Sequence, residues 1–127
     1  MSPDPSEFSI GVDIAEVVRI RSALRRWGDR FLTKHFTAGE IAYCQAKARP
    51  AESLAARFAA KEAFAKAYSG RGSLRWRDVE VVMEGRQPVF RLHGTAAGYE
   101  ARLSLSHTHA HAVAVAMVRP IPPREGT

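Results

Sequence analysis

Between Ser53 and Tyr68 the chain places seven alanines in sixteen positions. Alanine is the strongest helix former, and no Gly or Pro interrupts the run, so the segment is constrained to be a helix. At about 3.6 residues per turn, Leu54, Phe58, Phe64, Ala65 and Tyr68 gather in an arc about 120° wide, with Ala56, Ala60, Ala63 and Ala67 opposite. One face is bulky and the other small, and neither is a solvated polar stripe. The small face lets another element approach closely. Four ionisable residues sit among these faces: Arg57 and Lys61 within the bulky arc, Glu62 and Lys66 on its flank, four apart and able to meet. On a largely buried helix such charges need partners. They are either a surface pair beside snorkelling stems or a cradle for an anionic ligand or metal.

Elsewhere the period varies. Ile10 to Ile14 reads as a strand interrupted by Asp13, a poor strand former. Asp13 either caps the helix that follows or holds a ligand, and Gly11 permits close backbone approach. Ala15 to Trp27 has helical spacing, with Gly28 as its stop. Thr37-Ala-Gly-Glu40 has the form of a capping box and starts a helix running towards Ala48. Pro50 punctuates the chain, and Ser53 is the candidate N-cap of the alanine-rich helix, Leu54 to Tyr68. The second half alternates: a hairpin of Val79–Met83 and Pro88–Leu92, a short helix from Thr95 to Ala101, then strands at Leu103–Ser106 and Ala112–Val118. The apolar run 112–118 suggests burial on both faces. Helices early and antiparallel strands late give an α+β fold. At 127 residues one domain is expected, spanning 9–118, with a loose arm at 1–8 and a Pro-rich tail at 119–127.

If Asp13 and Glu62 converge, two carboxylate oxygens suit magnesium, which fills its shell with waters and phosphate oxygens. Lys61, Lys66 and Arg57 would balance the remaining phosphate charge. His107, His109 and His111 could bind zinc on a continuous strand, but the run between the closing strands reads as a turn, and no carboxylate or cysteine lies near it in sequence. His107, ending a strand, is better placed to face a ligand. Cys44 reads as a buried, inert thiol. The net charge of +6 is unevenly spread: Arg19, Arg21, Arg25, Arg26 and Arg30 fall in twelve residues with one acid, Asp29. An acidic or polyanionic partner follows. Nucleic acid is disfavoured, because aromatic residues do not interleave with these arginines. No apolar run is long enough to span a membrane, and the N-terminus lacks a signal-peptide pattern, so a cytoplasmic protein is expected.

Three motifs, taken together, resemble the holo-acyl-carrier-protein synthase family of short phosphopantetheinyl transferases. They are Gly11-Val-Asp-Ile14 followed by Val18-Arg19-Ile20, the long run from Ala55 to Lys66 (Ala-Ala-Arg-Phe-Ala-Ala-Lys-Glu-Ala-Phe-Ala-Lys), and Leu103-Ser-Leu-Ser-His107. Phe36-Thr37 with Glu40, and Trp76 with Asp78-Val-Glu-Val81, also match, and the likeness covers residues 8 to 118. The resemblance implies transfer of the 4′-phosphopantetheine arm of coenzyme A to a serine of an acyl carrier protein, releasing 3′,5′-ADP. It implies Asp13 and Glu62 as magnesium ligands, Lys66 on phosphate, and His107 on the coenzyme. It also implies a long helix on an antiparallel sheet, and a trimer with active sites between subunits. Asp13 or Glu62, directly or through a water, would accept the serine proton. Carrier proteins are acidic, so Arg19, Arg21, Arg25 and Arg26 would receive the partner. The loops Ser69–Ser73 and Thr95–Ala101 are shorter than in many relatives, which leaves a coenzyme-binding homologue without activity as the alternative.

Overall fold

The computed structural model describes residues 7–123. Its elements are β1 (Ser9–Glu16), α1 (Val17–Trp27), α2 (Asp29–His35), α3 (Ala38–Gln45), α4 (Pro50–Tyr68), β2 (Val79–Glu84), β3 (Gln87–Leu92), β4 (Tyr99–His107) and β5 (His111–Pro120), with 3-10 turns at Trp76–Asp78 and Gly94–Gly98. The architecture is α+β. One antiparallel sheet has the order β1-β5-β4, and β2 and β3 form a separate hairpin.

The alanine face of α4 sets the geometry. A β carbon added to Gly11 would stand 2.0 Å from the Ala63 carbonyl oxygen and 2.8 Å from Ala67 N. β1 therefore crosses α4 at backbone contact, which Gly11 and the small face together allow. Ala112, Ala114, Ala116 and Val118 of β5 are buried beside this crossing. The bulky face is covered by other elements: Phe64 meets Phe90 of β3 edge-on at 5.3 Å, and Tyr68 meets Tyr99 of β4 at 5.0 Å. Phe58 stacks on Trp76 at 5.2 Å and on Phe31 of α2 at 6.2 Å.

Several boundaries differ from the expectation, each for a local reason. α4 begins at Pro50 rather than Leu54, because proline fits the first helical position, where an amide hydrogen has no partner to lose. α2 was not foreseen: it spans seven residues, too few to show a helical period, and Gly28 at φ 53° both ends α1 and turns the chain into it. The capping box at Thr37 is present, with Glu40 N donating to Thr37 Oγ1 at 3.2 Å and Thr37 N to Glu40 Oε1 at 2.9 Å. Its helix stops at Gln45, short of Ala48. The helix expected at Thr95–Ala101 is a 3-10 turn, and β4 begins at Tyr99. β5 runs through Arg119 and Pro120, which had been placed in the tail. Residues 1–6 of the expected arm and 124–127 of the tail lie outside the described residues.

The reading of β5 as buried on both faces is corrected. Burial alternates along it, and Val113 and Val115 point outward, each 38% exposed. They pair in register with Ile14 and Val12 of β1, whose outer face is barer still: Ile10 is 67%, Val12 53% and Ile14 66% exposed. The sheet thus has one face under α4 and one apolar face uncovered in the single chain.

Candidate active site

Asp13 sits on the α4 side of β1, between Gly11 and Ala15, where alternation turns its carboxylate towards the helix. Lys66, one turn from the C-terminus of α4, reaches across, and its ammonium donates to Asp13 Oδ1 and to the Val12 carbonyl, each at 3.0 Å. Among the described residues no ion pair joins Lys66 to Glu62, the i,i+4 neighbour it was expected to meet. Glu62 instead lines a cleft of about 190 Å³ with Asp13, Glu16, Arg19 and Phe58. Burial raises the Glu62 pKa, the Asp13 charge raises it further, and Lys66 opposes both. Three carboxylates, Asp13, Glu16 and Glu62, line this cleft against Arg19, with Lys66 paired to Asp13, so it is short of positive charge.

A second, larger cleft of about 640 Å³ lies at the other end of α4. Its walls bring together Arg57 and His107, together with Lys47, Arg49 and Arg86. Arg57 is 5% exposed and rests over the Tyr43 ring at 4.3 Å. Its Nη1 donates to the Ser53 carbonyl at 3.4 Å, while Nε is buried without a protein partner. A guanidinium in the wall of a basic cleft suits an anion.

Lys61 departs from its expected role. It is 2% exposed, and its ammonium lies 2.6 Å from Glu40 Oε1 and 3.0 Å from the Trp76 carbonyl. Glu40 also accepts from Val81 N at 2.9 Å. The pair ties α3, α4 and β2 together inside the protein, and the Lys61 charge is spent there. Burial lowers the Lys61 pKa, and Glu40 opposes that shift.

The arginines of α1 face solvent. Val17 and Ile20 are buried, and Arg19 pairs with Glu16 at 3.3 Å. Arg26 and Arg30 cover the Trp27 ring at 5.1 and 6.0 Å. Arg25 is exposed, and Arg21 lines a further cleft of about 430 Å³ with Arg49, Glu52 and His109. The run Thr108–Ala110 is a turn as read, closed by Thr108 N donating to the His111 carbonyl at 2.8 Å. Among the described residues no group of three or more His, Cys, Asp or Glu side chains converges as a metal site. Cys44 is buried, which pushes its thiol pKa up to about 11.

Sequence reasoning missed Lys47, Arg49 and Arg86, which come from two separate loops, and Glu52, whose histidine partners lie more than fifty residues away. The signal available was the basic residues of these loops, Lys47 and Arg49 in one and Arg86 in the other.

These residues fit the pattern of known proteins. The family model of the 4′-phosphopantetheinyl transferase superfamily matches residues 9–116. A holo-[acyl-carrier-protein] synthase of Chlorobaculum parvum is 48% identical over 117 residues, covering 90% of this chain and 100% of the relative. The chain belongs to the holo-acyl-carrier-protein synthase family. A second relative of the same name, from Koribacter versatilis, is 49% identical over 107 residues, covering 76% of this chain and 86% of the relative. The crystal structure of a holo-(acyl-carrier-protein) synthase from Bacillus anthracis in complex with CoA (3′,5′-ADP) superposes with a TM-score of 0.75 at 30% identity, covering 91% of this chain and 99% of that one. Among the described residues no helix is long and apolar enough to cross a membrane.

Proposed function

We infer that this chain transfers the 4′-phosphopantetheine group of coenzyme A to a serine of an apo acyl carrier protein and releases 3′,5′-ADP. The observation that carries the reading is the fold's use of the family motifs. Asp13, Glu62 and Lys66, from motifs roughly fifty residues apart, meet at the β1–α4 crossing, and Arg57 and His107 meet in a basic cleft.

The serine oxygen forms a bond to the phosphorus of the pantetheine phosphate as the bond from that phosphorus to the oxygen of the 3′,5′-ADP leaving group breaks. Such a reaction needs positioning and charge neutralisation more than covalent help from the protein. Arg57 and His107, which line one cleft, hold phosphate oxygens of the coenzyme. Lys66 offsets the charge that builds on the leaving phosphate. The serine proton passes to the carboxylate pair. Asp13 and Glu62 also fit magnesium, since both offer carboxylate oxygens and, among the described residues, Lys66 pairs with Asp13 and not with Glu62. Bound there, the ion would neutralise the pyrophosphate.

The chain acts as a trimer with active sites between subunits. Two features support this. The apolar face of Ile10, Val12, Ile14, Val113 and Val115 needs cover. The carboxylate–lysine cluster and the Arg57–His107 cleft are separate within one chain, so neighbouring subunits can each supply half of a site. Arg19, Arg21, Arg25 and Arg26 receive the acidic carrier and mainly speed its association. Residues 9–118 form the catalytic unit, working in the cytoplasm.

The test is to incubate apo carrier proteins with the protein, coenzyme A and magnesium, then weigh the carriers. A carrier should gain the mass of one phosphopantetheine group. No gain on any of a panel of fatty-acid, polyketide and peptide-synthase carriers would contradict the reading.

A further inference from the structure

Glu52, on the first turn of α4, is a carboxylate at the edge of a cleft otherwise built for anions. It is 7% exposed and lines both the 640 Å³ cleft and the 430 Å³ cleft beside it. A bare negative charge there would repel phosphate. The charge is not bare: Oε2 accepts from His109 Nδ1 at 3.0 Å, and Oε1 lies 3.6 Å from His107 Nδ1. Arg49 Nε stands 3.7 Å from Oε2, and Arg49 Nη1 lies 3.0 Å from His109 Nε2.

A carboxylate only accepts hydrogen bonds, so His109 Nδ1 is the donor in the Glu52 contact; Arg49 Nη1 stands 2.8 Å from the same nitrogen. The Glu52 contact turns the Nδ1 edge of His107 towards α4 and leaves Nε2 on the opposite edge of the ring. The turn joining the two histidines is closed by its own bonds, with Ala110 N and His111 N donating to Thr108 Oγ1 at 3.2 and 3.1 Å. Glu52 is the α4 side chain that holds this turn; Arg49, just before the helix, also meets His109, and the Ala110 carbonyl accepts from Val17 N at 2.9 Å. Besides the two histidines, the charged groups around it are Lys47, Arg49, Arg57 and Arg86 in one cleft and Arg21 in the other.

We propose that Glu52 is a positioning residue for coenzyme binding: it anchors the His107–His109 turn to α4 so that His107 presents its free edge to the coenzyme cleft. The proposal rests on the transferase reading above. It also gives His109 a task as the second anchor of the turn.

The test uses the full chain and the Glu52→Gln variant, which keeps size and removes charge. Imidazole nitrogen NMR without coenzyme A reads the anchor itself. Glu52→Gln should move the ring-nitrogen resonances of both His107 and His109 and weaken the Nδ1–H signature of His109. In the carrier assay its KM for coenzyme A should rise about tenfold with kcat changed less than about twofold, as expected for loss of a charge-assisted contact that acts on binding. His107 resonances and KM both unchanged would overturn the proposal, as would a fall in kcat at constant KM. Glu52→Asp settles the matter should Glu52→Gln not fold: the shortened carboxylate cannot reach both rings, so KM should again rise, and an unchanged KM overturns the proposal. Failure of the unmodified protein to modify any carrier would instead overturn the transferase reading, and the NMR comparison would still decide whether Glu52 sets the two histidines.

Discussion

At the residue scale, two positions show how far side-chain chemistry is legible before the fold is known. Gly11 was readable, because a glycine beside an alanine face announces close approach, and the approach is to 2.0 Å of a virtual Cβ. Gly11→Ala should therefore cost about 3 kcal/mol, the upper end for overpacking, since the obstacle is helix backbone rather than a movable side chain. Chemical denaturation measures it. Lys61 was not readable. Its place in the bulky arc fits phosphate binding as well as core pairing, and the choice is made by Glu40, twenty-one positions earlier, which only the packing of α3 on α4 brings to 2.6 Å. Lys61→Met alone should destabilise by about 3–5 kcal/mol, because it strands the Glu40 carboxylate, and the Glu40→Gln, Lys61→Met double variant should cost less than the sum of the two single changes. A double-mutant cycle by denaturation gives the coupling directly. Asp13 and Glu62 lie between these cases: their identity was legible from the motifs, while their shared cleft and the diversion of Lys66 to Asp13 needed the crossing of β1 over α4.

At the scale of elements, long patterns were legible and short ones were not. α4 and the hairpin follow from periods sustained over several turns or residue pairs. α2 spans under two turns and shows itself only through contacts, with Phe31 and Leu32 buried. Its last residue, His35, has Nδ1 2.8 Å from the Phe31 carbonyl and packs against Trp76 at 4.7 Å and Phe58 at 5.6 Å. Burial, chiefly, holds its pKa below the ordinary 6.5, with Lys34 and Lys61 adding to that shift and the Phe31 carbonyl opposing it. The folded state therefore binds this proton more weakly than the unfolded state. The stability His35 confers is complete above about pH 6.5 and falls as the pH drops through the lowered value. Melting temperature should decline across that window, and His35→Phe should flatten the decline. An unchanged slope would show that His35 is not the group responsible.

At the scale of the whole molecule, the proposed trimer would account for both the uncovered sheet face and the two separate clefts. The apolar run of β5 looked buried on both faces, and in a trimer it would be: α4 covers one side and a neighbouring chain the other. Sequence could not separate these covers, since a side chain packs alike against its own helix or another subunit. The positive charge also divides, into the 640 Å³ cleft walled by two loops, proposed to hold the coenzyme, and the exposed arginines of α1, proposed to receive the carrier. Val12→Asp, at a position 53% exposed in the single chain, should leave the fold intact, convert the assembly to monomers in sedimentation and abolish transfer. A fully active monomer would refute the shared site.

The most direct measurement mixes two disabled variants. Glu62→Ala removes a carboxylate at the β1–α4 crossing, and Arg57→Met removes the buried guanidinium of the coenzyme cleft while keeping its volume. Each alone should fail to raise the mass of an apo carrier. After subunit exchange in equal amounts, sites pairing an intact Glu62 from one chain with an intact Arg57 from its neighbour should reform, restoring about a quarter of the unmodified rate. No activity in the mixture, with exchange verified by native mass spectrometry, would contradict an active site shared between chains.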